Sequence, residues 1–156
     1  MKTNLILGTA LLIIAGNLNA AELRVKGGFL PGGIIDDRKL LSEINLKTIE
    51  LRDTKDGAVK SAELLKQLKR LDRKKCDIQL APVGKQRLTA AETVTRARKG
   101  VLVVSGLYKC KRCPKWHSGA ASGFMLTTDG VFCTSYHVVD NPDNDILVIM
   151  TGDGRM

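Results

Sequence analysis

Two histidines and four cysteines carry most of the chemistry that this 156-residue sequence offers. His137 follows two runs that alternate apolar with small or polar residues, Gly123 to Thr127 and Val131 to Thr134. Imidazole is the side chain best suited to proton transfer near neutral pH. His137 is therefore a candidate general base, and the alternative is a histidine with a structural role only.

Two strands and a turn are expected to position His137. Thr128 to Gly130 supplies a turn with glycine where positive φ is favoured. The pattern predicts a β-hairpin with His137 just beyond its second strand. Further strands are predicted over Val101 to Tyr108 and over Ile146 to Met150.

The residue order in this segment resembles the first barrel of trypsin-like serine endopeptidases, in particular the HtrA/Deg type. Ser122 to Phe124, the Asp129-Gly130 turn and Thr134 to Val139 are similar to the family's G-S-G-F, D-G and T-N-x-H-V-V elements. The resemblance covers roughly residues 100–156 and is strongest over residues 121–139.

The resemblance implies a chymotrypsin-like double β-barrel in which His137 is the general base of a His/Asp/Ser triad. His137 would accept the proton of a serine hydroxyl and return it to the leaving amine. Ser135 stands where the family has asparagine, beside the base, and Cys133 replaces an aliphatic residue, where a thiol packs like a small hydrophobe. The resemblance further implies protein or peptide substrates and no cofactor.

The other two members of the triad are not found after His137. The residues that follow it contain no serine, although the family's chain order is His, then Asp, then Ser. We interpret the four aspartates there, Asp140, Asp143, Asp145 and Asp153, as residues with structural roles, because the resemblance places the orienting aspartate some tens of residues beyond the histidine. All but Asp145 lie in predicted turns. The sequence thus predicts the N-terminal portion of an endopeptidase, inactive by itself.

Three potential metal ligands lie in the loop between the predicted strands, at Cys110, Cys113 and His117. In an oxidising compartment this spacing favours a local Cys110–Cys113 disulfide, which we expect, with no resident metal. The alternative is a zinc site, for which C-x2-C-x3-H supplies three of four ligands. Cys76 or Cys133 could supply the fourth ligand, although Cys133 is expected to face the predicted hairpin.

The first twenty residues have the pattern of a cleavable secretory signal peptide. Lys2 gives a positive start, Leu5 to Ala15 is apolar, and a small residue, Ala20, precedes the expected cleavage point. The apolar run is shorter than the roughly 20 residues that cross a bilayer, so we expect no stable membrane anchor. The predicted location is periplasmic or extracellular.

Nearly all of the net charge of +9 lies in residues 22–100, whereas residues 101–156 are neutral. One segment concentrates six basic residues: Lys66, Lys69, Arg70, Arg73, Lys74 and Lys75. No aromatic residues are interleaved for base stacking, so we interpret this cluster as the solvated face of an amphipathic helix. We expect no nucleic-acid partner, and the sequence does not indicate an oligomeric state.

Helices are predicted within the basic region. Leucines at helical spacing predict a helix within Ala58 to Lys75, and a capping box of Thr89 and Glu92 opens another. Leu40 to Leu51 fits a helix or, from Thr48, a strand. The glycine-rich run before it lacks the Lys-Ser/Thr ending of a phosphate loop and is interpreted as a connector.

These patterns predict a signal peptide over residues 1–20, a basic, partly helical region over 21–100, and an incomplete trypsin-like peptidase domain over 101–156. The predicted fold class is mainly β in the C-terminal third, a partial first barrel preceded by helices. The alternative function is a non-catalytic exported binding or interaction module with a Cys-x-x-Cys loop, stabilised by zinc.

Overall fold

The computed structural model describes residues 9–12, 24–54, 60–71, 78–82 and 84–156. The elements in chain order are β1 (Thr9–Leu12), α1 (Asp37–Asp53), α2 (Ser61–Leu71), α3 (Ala90–Ala97), β2 (Val101–Lys109), β3 (Trp116–Met125), β4 (Phe132–Ser135), α4 (Tyr136–Val139) and β5 (Asn144–Met150). A single 3-10 turn, Arg98–Gly100, leads into β2. Most of the predicted signal peptide, Cys76, and the basic residues Arg73, Lys74 and Lys75 lie outside the described residues.

The strands form one antiparallel sheet in the order β1-β4-β3-β2-β5. Its four C-terminal strands make a curled half-barrel, and α1, α2 and α3 precede them in the chain. β2 pairs with β3 along its whole length and with β5 on its other side. β1 pairs with the outer side of β4, where Thr9 lies opposite Ser135. The predicted strand-rich C-terminal part, preceded by helices, is confirmed.

The predicted hairpin ahead of His137 is also confirmed. β3 and β4 pair directly, and Gly130 in their connecting turn has φ of 103°. The N–H of Leu126 donates to the Val131 carbonyl at 2.8 Å, and the N–H of Val131 donates to the Thr127 hydroxyl at 3.0 Å. Local turn chemistry therefore sets the pairing that leads the chain to His137.

The ambiguous segment before residue 54 is a helix throughout. The carboxylate of Asp36 accepts the N–H of Lys39 at 3.1 Å and caps α1. Ile44 and Thr48, one helical turn apart, are buried, and the Thr48 hydroxyl donates to the Ile44 carbonyl at 2.7 Å. The strand alternative for Thr48–Leu51 is therefore wrong, because the buried residues repeat at helical spacing.

α1 and α2 cover opposite faces of the sheet. Ile44 of α1 packs against Met150 of β5. Leu64 of α2 packs against Leu102 and Phe132, whose side chains point to the other face. Helices α1 and α2 of the basic region thus share hydrophobic core clusters with the strands.

The other helix predictions agree with the structure. α2 lies within the predicted Ala58 to Lys75 range. At α3 the capping box is present, since Thr89 and Glu92 each accept the other's backbone N–H, and no residue of α3 is buried. No helix in the described part of the chain has both the length and the apolar composition needed to cross a membrane.

The glycine-rich segment that precedes α1 is attached to two other parts of the fold. The N–H of Val25 donates to the Gly154 carbonyl at 2.8 Å. The N–H groups of Gly27 and Lys26 donate to the Glu43 carboxylate at 2.9 and 2.8 Å, and these bonds lower the pKa of Glu43. The predicted connector is therefore tied to α1 and to the last turn of the chain.

Candidate active site around His137

A single helical turn, α4, carries His137 directly after β4. Val139 of this turn is 1% exposed and packs in the core with Phe132. The N–H of Asp140 closes the turn on the Tyr136 carbonyl at 2.9 Å. Residues two apart on a helix point in nearly opposite directions, so His137 is exposed because Val139 is anchored. The predicted place of His137, just past the second strand of the hairpin, is confirmed.

His137 lines a groove of about 190 Å³. The floor consists of small residues of β2 and β3, namely Gly106, Gly119, Ala120 and Ala121. Tyr108, Val138, Asn141 and Asn144 complete the lining. The groove beside the imidazole is open because the four residues of the floor have no side chain large enough to fill it.

Asn144, at the start of β5, joins the groove wall to the sheet. Its amide nitrogen donates to the Val138 carbonyl at 3.5 Å and lies over Gly106, where a Cβ would overlap the amide. Glycine at 106 therefore provides space for this side chain. Neither Asn144 nor Gly106 was predicted from the sequence, although a glycine inside a strand is a signal of close approach.

The ring of His137 makes no hydrogen bond or ion pair with any residue that the structure describes. Among these residues no carboxylate lines the groove. The imidazole is therefore accessible to a proton donor from outside, and no acid in the described ranges orients it.

Asp145, the aspartate at the start of β5, joins this strand to two other segments. Its carboxylate accepts from Arg52 of α1 at 2.8 Å and from Lys60, next to α2, at 3.0 Å. Partial burial raises the pKa of Asp145, but the hydrogen bonds and charges of Lys60 and Arg52 lower it by more, so that it lies below its ordinary value. This carboxylate is committed to holding the helices on the sheet.

The other aspartates after His137 also have local roles. Asp143 pairs with Lys111 at 2.9 Å. The hydroxyl of Thr151 donates to Asp153 and, with a nearby arginine, lowers the pKa of this carboxyl to about 2. Asp140 ends α4 through its backbone N–H. Together with the ion pairs of Asp145, these contacts agree with structural roles for the four residues.

The structure brings Cys110, Cys113 and His117 together at one end of the β2–β3 hairpin, and we call them the Cys–His cluster. The two cysteines lie in the connecting loop, whereas His117 belongs to β3, which begins at Trp116 and is longer than predicted. One ligand atom from each lies within 4.8 Å of the others, and Cys113 Sγ is 3.3 Å from His117 Nε2. Both cysteines are free thiols here. The disulfide therefore stays a prediction for an oxidising compartment. Cys133 has a different contact, donating to the Phe124 carbonyl at 3.6 Å.

Tyr108 connects the groove with the Cys–His cluster. Its ring lines the groove and stacks on the ring of His117, with centroids 6.0 Å apart and planes at 25°. Tyr108 lies opposite His117 on β3 and opposite Asn144 on β5. This row of three residues was not predicted, because strand register does not follow from any one segment of sequence.

The geometry thus offers two chemically distinct features. His137 is an exposed base at a groove, and the Cys–His cluster holds two thiols and an imidazole at close range. In comparisons with known proteins, no family model, no curated protein and no solved structure matches this chain.

Proposed function

We propose that this chain supplies the general base and the first barrel half of an exported trypsin-like serine endopeptidase. The observation that carries the proposal is His137, an exposed imidazole at a groove, delivered by the hairpin on which the family resemblance rests. The curled half-barrel of four antiparallel strands supports it, because the family's first barrel is itself an antiparallel sheet.

In the proposed reaction the scissile peptide lies beside His137. The imidazole accepts the proton of a serine hydroxyl while the serine oxygen bonds to the peptide carbonyl carbon. The imidazolium then returns this proton to the amine nitrogen as the C–N bond breaks, and an acyl-enzyme remains. Water, activated in the same way by His137, releases the acid product and restores the serine.

The proposal assigns the serine and the orienting aspartate to residues beyond Met156 in the parent protein. The printed sequence has no serine after His137. We therefore expect the 156-residue chain to hydrolyse no peptide bonds by itself. Inhibitor-sensitive turnover of a fluorogenic peptide by this chain would contradict that expectation.

The decisive experiment begins with the reading frame downstream of the codon for Met156. The proposal requires an in-frame continuation with a later aspartate and a G-[ND]-S-G-G-like motif. In the full-length protein, His137→Ala should lower kcat by about a thousandfold or more, since removal of a triad member leaves only binding and oxyanion stabilisation.

The matched control is Asp140→Asn, three residues further along the same segment. Its carboxylate does not line the groove, so activity should stay at the wild-type level. A stop codon directly after Met156 would refute the proposal and favour the non-catalytic module. Equal activity of His137→Ala and the wild type would refute the role of His137.

A further inference from the structure

The two cysteines of the Cys–His cluster lie in a loop whose ends are fixed by the sheet, and His117 is the second residue of the strand that follows. β2 and β3 pair as far as Lys109 opposite Trp116, which leaves residues 110–115 as the connection. The N–H of Cys110 donates to the Lys115 carbonyl at 3.1 Å, and Lys109 Nζ donates to the Pro114 carbonyl at 2.5 Å. The loop is therefore folded back on itself, and this brings both thiols toward His117.

The spacing of the three ligand atoms is close to that of a tetrahedral zinc site. Zinc binds thiolate sulfur at about 2.3 Å and imidazole nitrogen at about 2.0–2.1 Å, which places neighbouring ligand atoms roughly 3.5–3.8 Å apart. Cys113 Sγ and His117 Nε2 are 3.3 Å apart, and all three atoms lie within 4.8 Å. Side-chain rotations that move the ligand atoms by a few tenths of an ångström to about one ångström would bring their separations to those of a zinc site.

The donor types select the metal. Thiolate and imidazole ligands suit zinc, whereas calcium and magnesium require oxygen ligands, and this three-residue cluster contains no carboxylate. Three protein ligands leave the fourth position for water. The N–H of Arg112 donates to Cys110 Sγ at 3.4 Å, which helps hold this sulfur beside the other two ligand atoms.

Nearby cations do not prevent the binding of a metal ion. Lys111 is paired with Asp143 at 2.9 Å, and the ammonium group of Lys109 is bound to the Pro114 carbonyl. Two thiolates would balance the charge of a divalent cation at the site itself.

We propose that this loop binds one Zn²⁺ ion through Cys110 Sγ, Cys113 Sγ and His117 Nε2, with water as the fourth ligand. The ion holds the β2–β3 loop closed. This site does not depend on the endopeptidase proposal, since none of its three ligands belongs to the groove lining.

The test is equilibrium zinc binding by the reduced full-length chain in metal-free buffer, measured against a chromogenic chelator. We expect one zinc ion per chain. Cobalt in place of zinc should give thiolate-to-cobalt charge-transfer absorption. Cys110→Ser and Cys113→Ser should each weaken zinc binding by about a hundredfold or more, because each removes a direct ligand.

Two further variants separate the loss of a ligand from the loss of folding. His117→Ala should weaken binding, and His117→Cys should restore it, since a third thiolate is also a zinc ligand. Cys133→Ser is the matched control, because Cys133 is a free thiol outside the cluster, and it should bind zinc like the wild type. Far-UV circular dichroism reports whether each variant is folded.

Three results would overturn the proposal. The first is less than one equivalent of zinc on the reduced, folded wild-type chain. The second is wild-type affinity in a folded Cys113→Ser variant, or equal loss in Cys133→Ser. The third is a zinc-free chain with a Cys110–Cys113 disulfide when the protein is isolated from an oxidising compartment. That is the outcome that the spacing alone predicts, and it competes with the zinc proposal because the bond would remove both thiolates.

Discussion

Replacing Ile44 by alanine tests whether the basic helix α1 and the C-terminal sheet fold as one unit. Ile44 is 1% exposed and packs with Val25 and Met150. The exchange removes three buried carbon groups, each contributing about 0.8 kcal/mol. It also leaves a cavity into which the surroundings relax only in part. We therefore expect the free energy of unfolding to fall by about 3–4 kcal/mol.

Urea denaturation with two probes measures this effect. Far-UV circular dichroism follows the helices, and the fluorescence of Trp116, the single tryptophan, follows β3. The guanidinium of Arg52 in α1 lies 4.1 Å from the centre of the Trp116 ring, so the probe sits where helix and sheet meet. Both probes should show the same lower midpoint with an unchanged slope.

Leu46→Ala is the matched control, because Leu46 lies on the same helix and is 62% exposed. Its effect should stay within about 0.5 kcal/mol. A boundary at residue 100 between two independent domains would give another result, in which Ile44→Ala weakens the helical signal while Trp116 unfolds at the wild-type midpoint. That result, or equal effects of the two variants, would refute the shared core.

Two further predictions concern turns and pH. Gly154→Ala should lower the free energy of unfolding by about 2 kcal/mol or more, because Gly154 has φ of 82° and a Cβ would overlap a neighbouring carbonyl. Gly152 lies in the same turn, and a Cβ there would make ordinary contacts only, so Gly152→Ala should change the free energy of unfolding by no more than about 0.5 kcal/mol. Thermal unfolding of both variants measures the difference. For Asp145, partial burial raises the pKa, but the hydrogen bonds from Lys60 and Arg52 lower it by a larger amount. The pKa in the folded chain therefore lies below 3.8. The ionised Asp145 carboxylate therefore stabilises the fold fully at pH values above its pKa in the unfolded chain. This stabilisation is lost as the pH falls through its lower pKa in the folded chain. Asp145→Asn should cost about 1 kcal/mol at pH 7, and the difference from wild type should close below pH 3.8. A difference in urea midpoint that does not change with pH would contradict this reasoning.

The elements that the sequence predicted well are those specified by nearby residues. The hairpin before His137 depends on a turn of a few residues with Gly130 at positive φ. The cap of α3 depends on Thr89 and Glu92, three positions apart. Such signals lie within one short segment, so they can be recognised without knowing the rest of the fold.

The parts that could not be predicted depend on contacts between distant segments. Nothing in the local pattern of α1 shows that Ile44 meets Met150. Arg52 and Asp145 form their ion pair across 93 positions of sequence. The covering of both sheet faces by helices follows from these long-range contacts, which a single sequence does not display.

The candidate site divides in the same way. His137 and the three members of the Cys–His cluster were found from residue type and spacing. The groove beside His137 was not, because it forms only when β5 brings Asn144 over Gly106 and beside Tyr108. These contacts are set by the register of β5 on β2, and a register depends on the pairing of whole strands.

The pairing of β1 with β4 means that cleavage of the predicted signal peptide would remove a strand from the sheet. Thr9–Leu12 lies inside residues 1–20, which the sequence predicts to be a cleavable signal peptide. In the structure it pairs with the outer side of Phe132–Ser135. Cleavage after Ala20 would turn β4 from an inner strand into an edge strand with free backbone donors and acceptors. If the predicted cleavage takes place, the chain before and after it would differ at the strand that leads into His137, and so would the segments able to pair beside this residue.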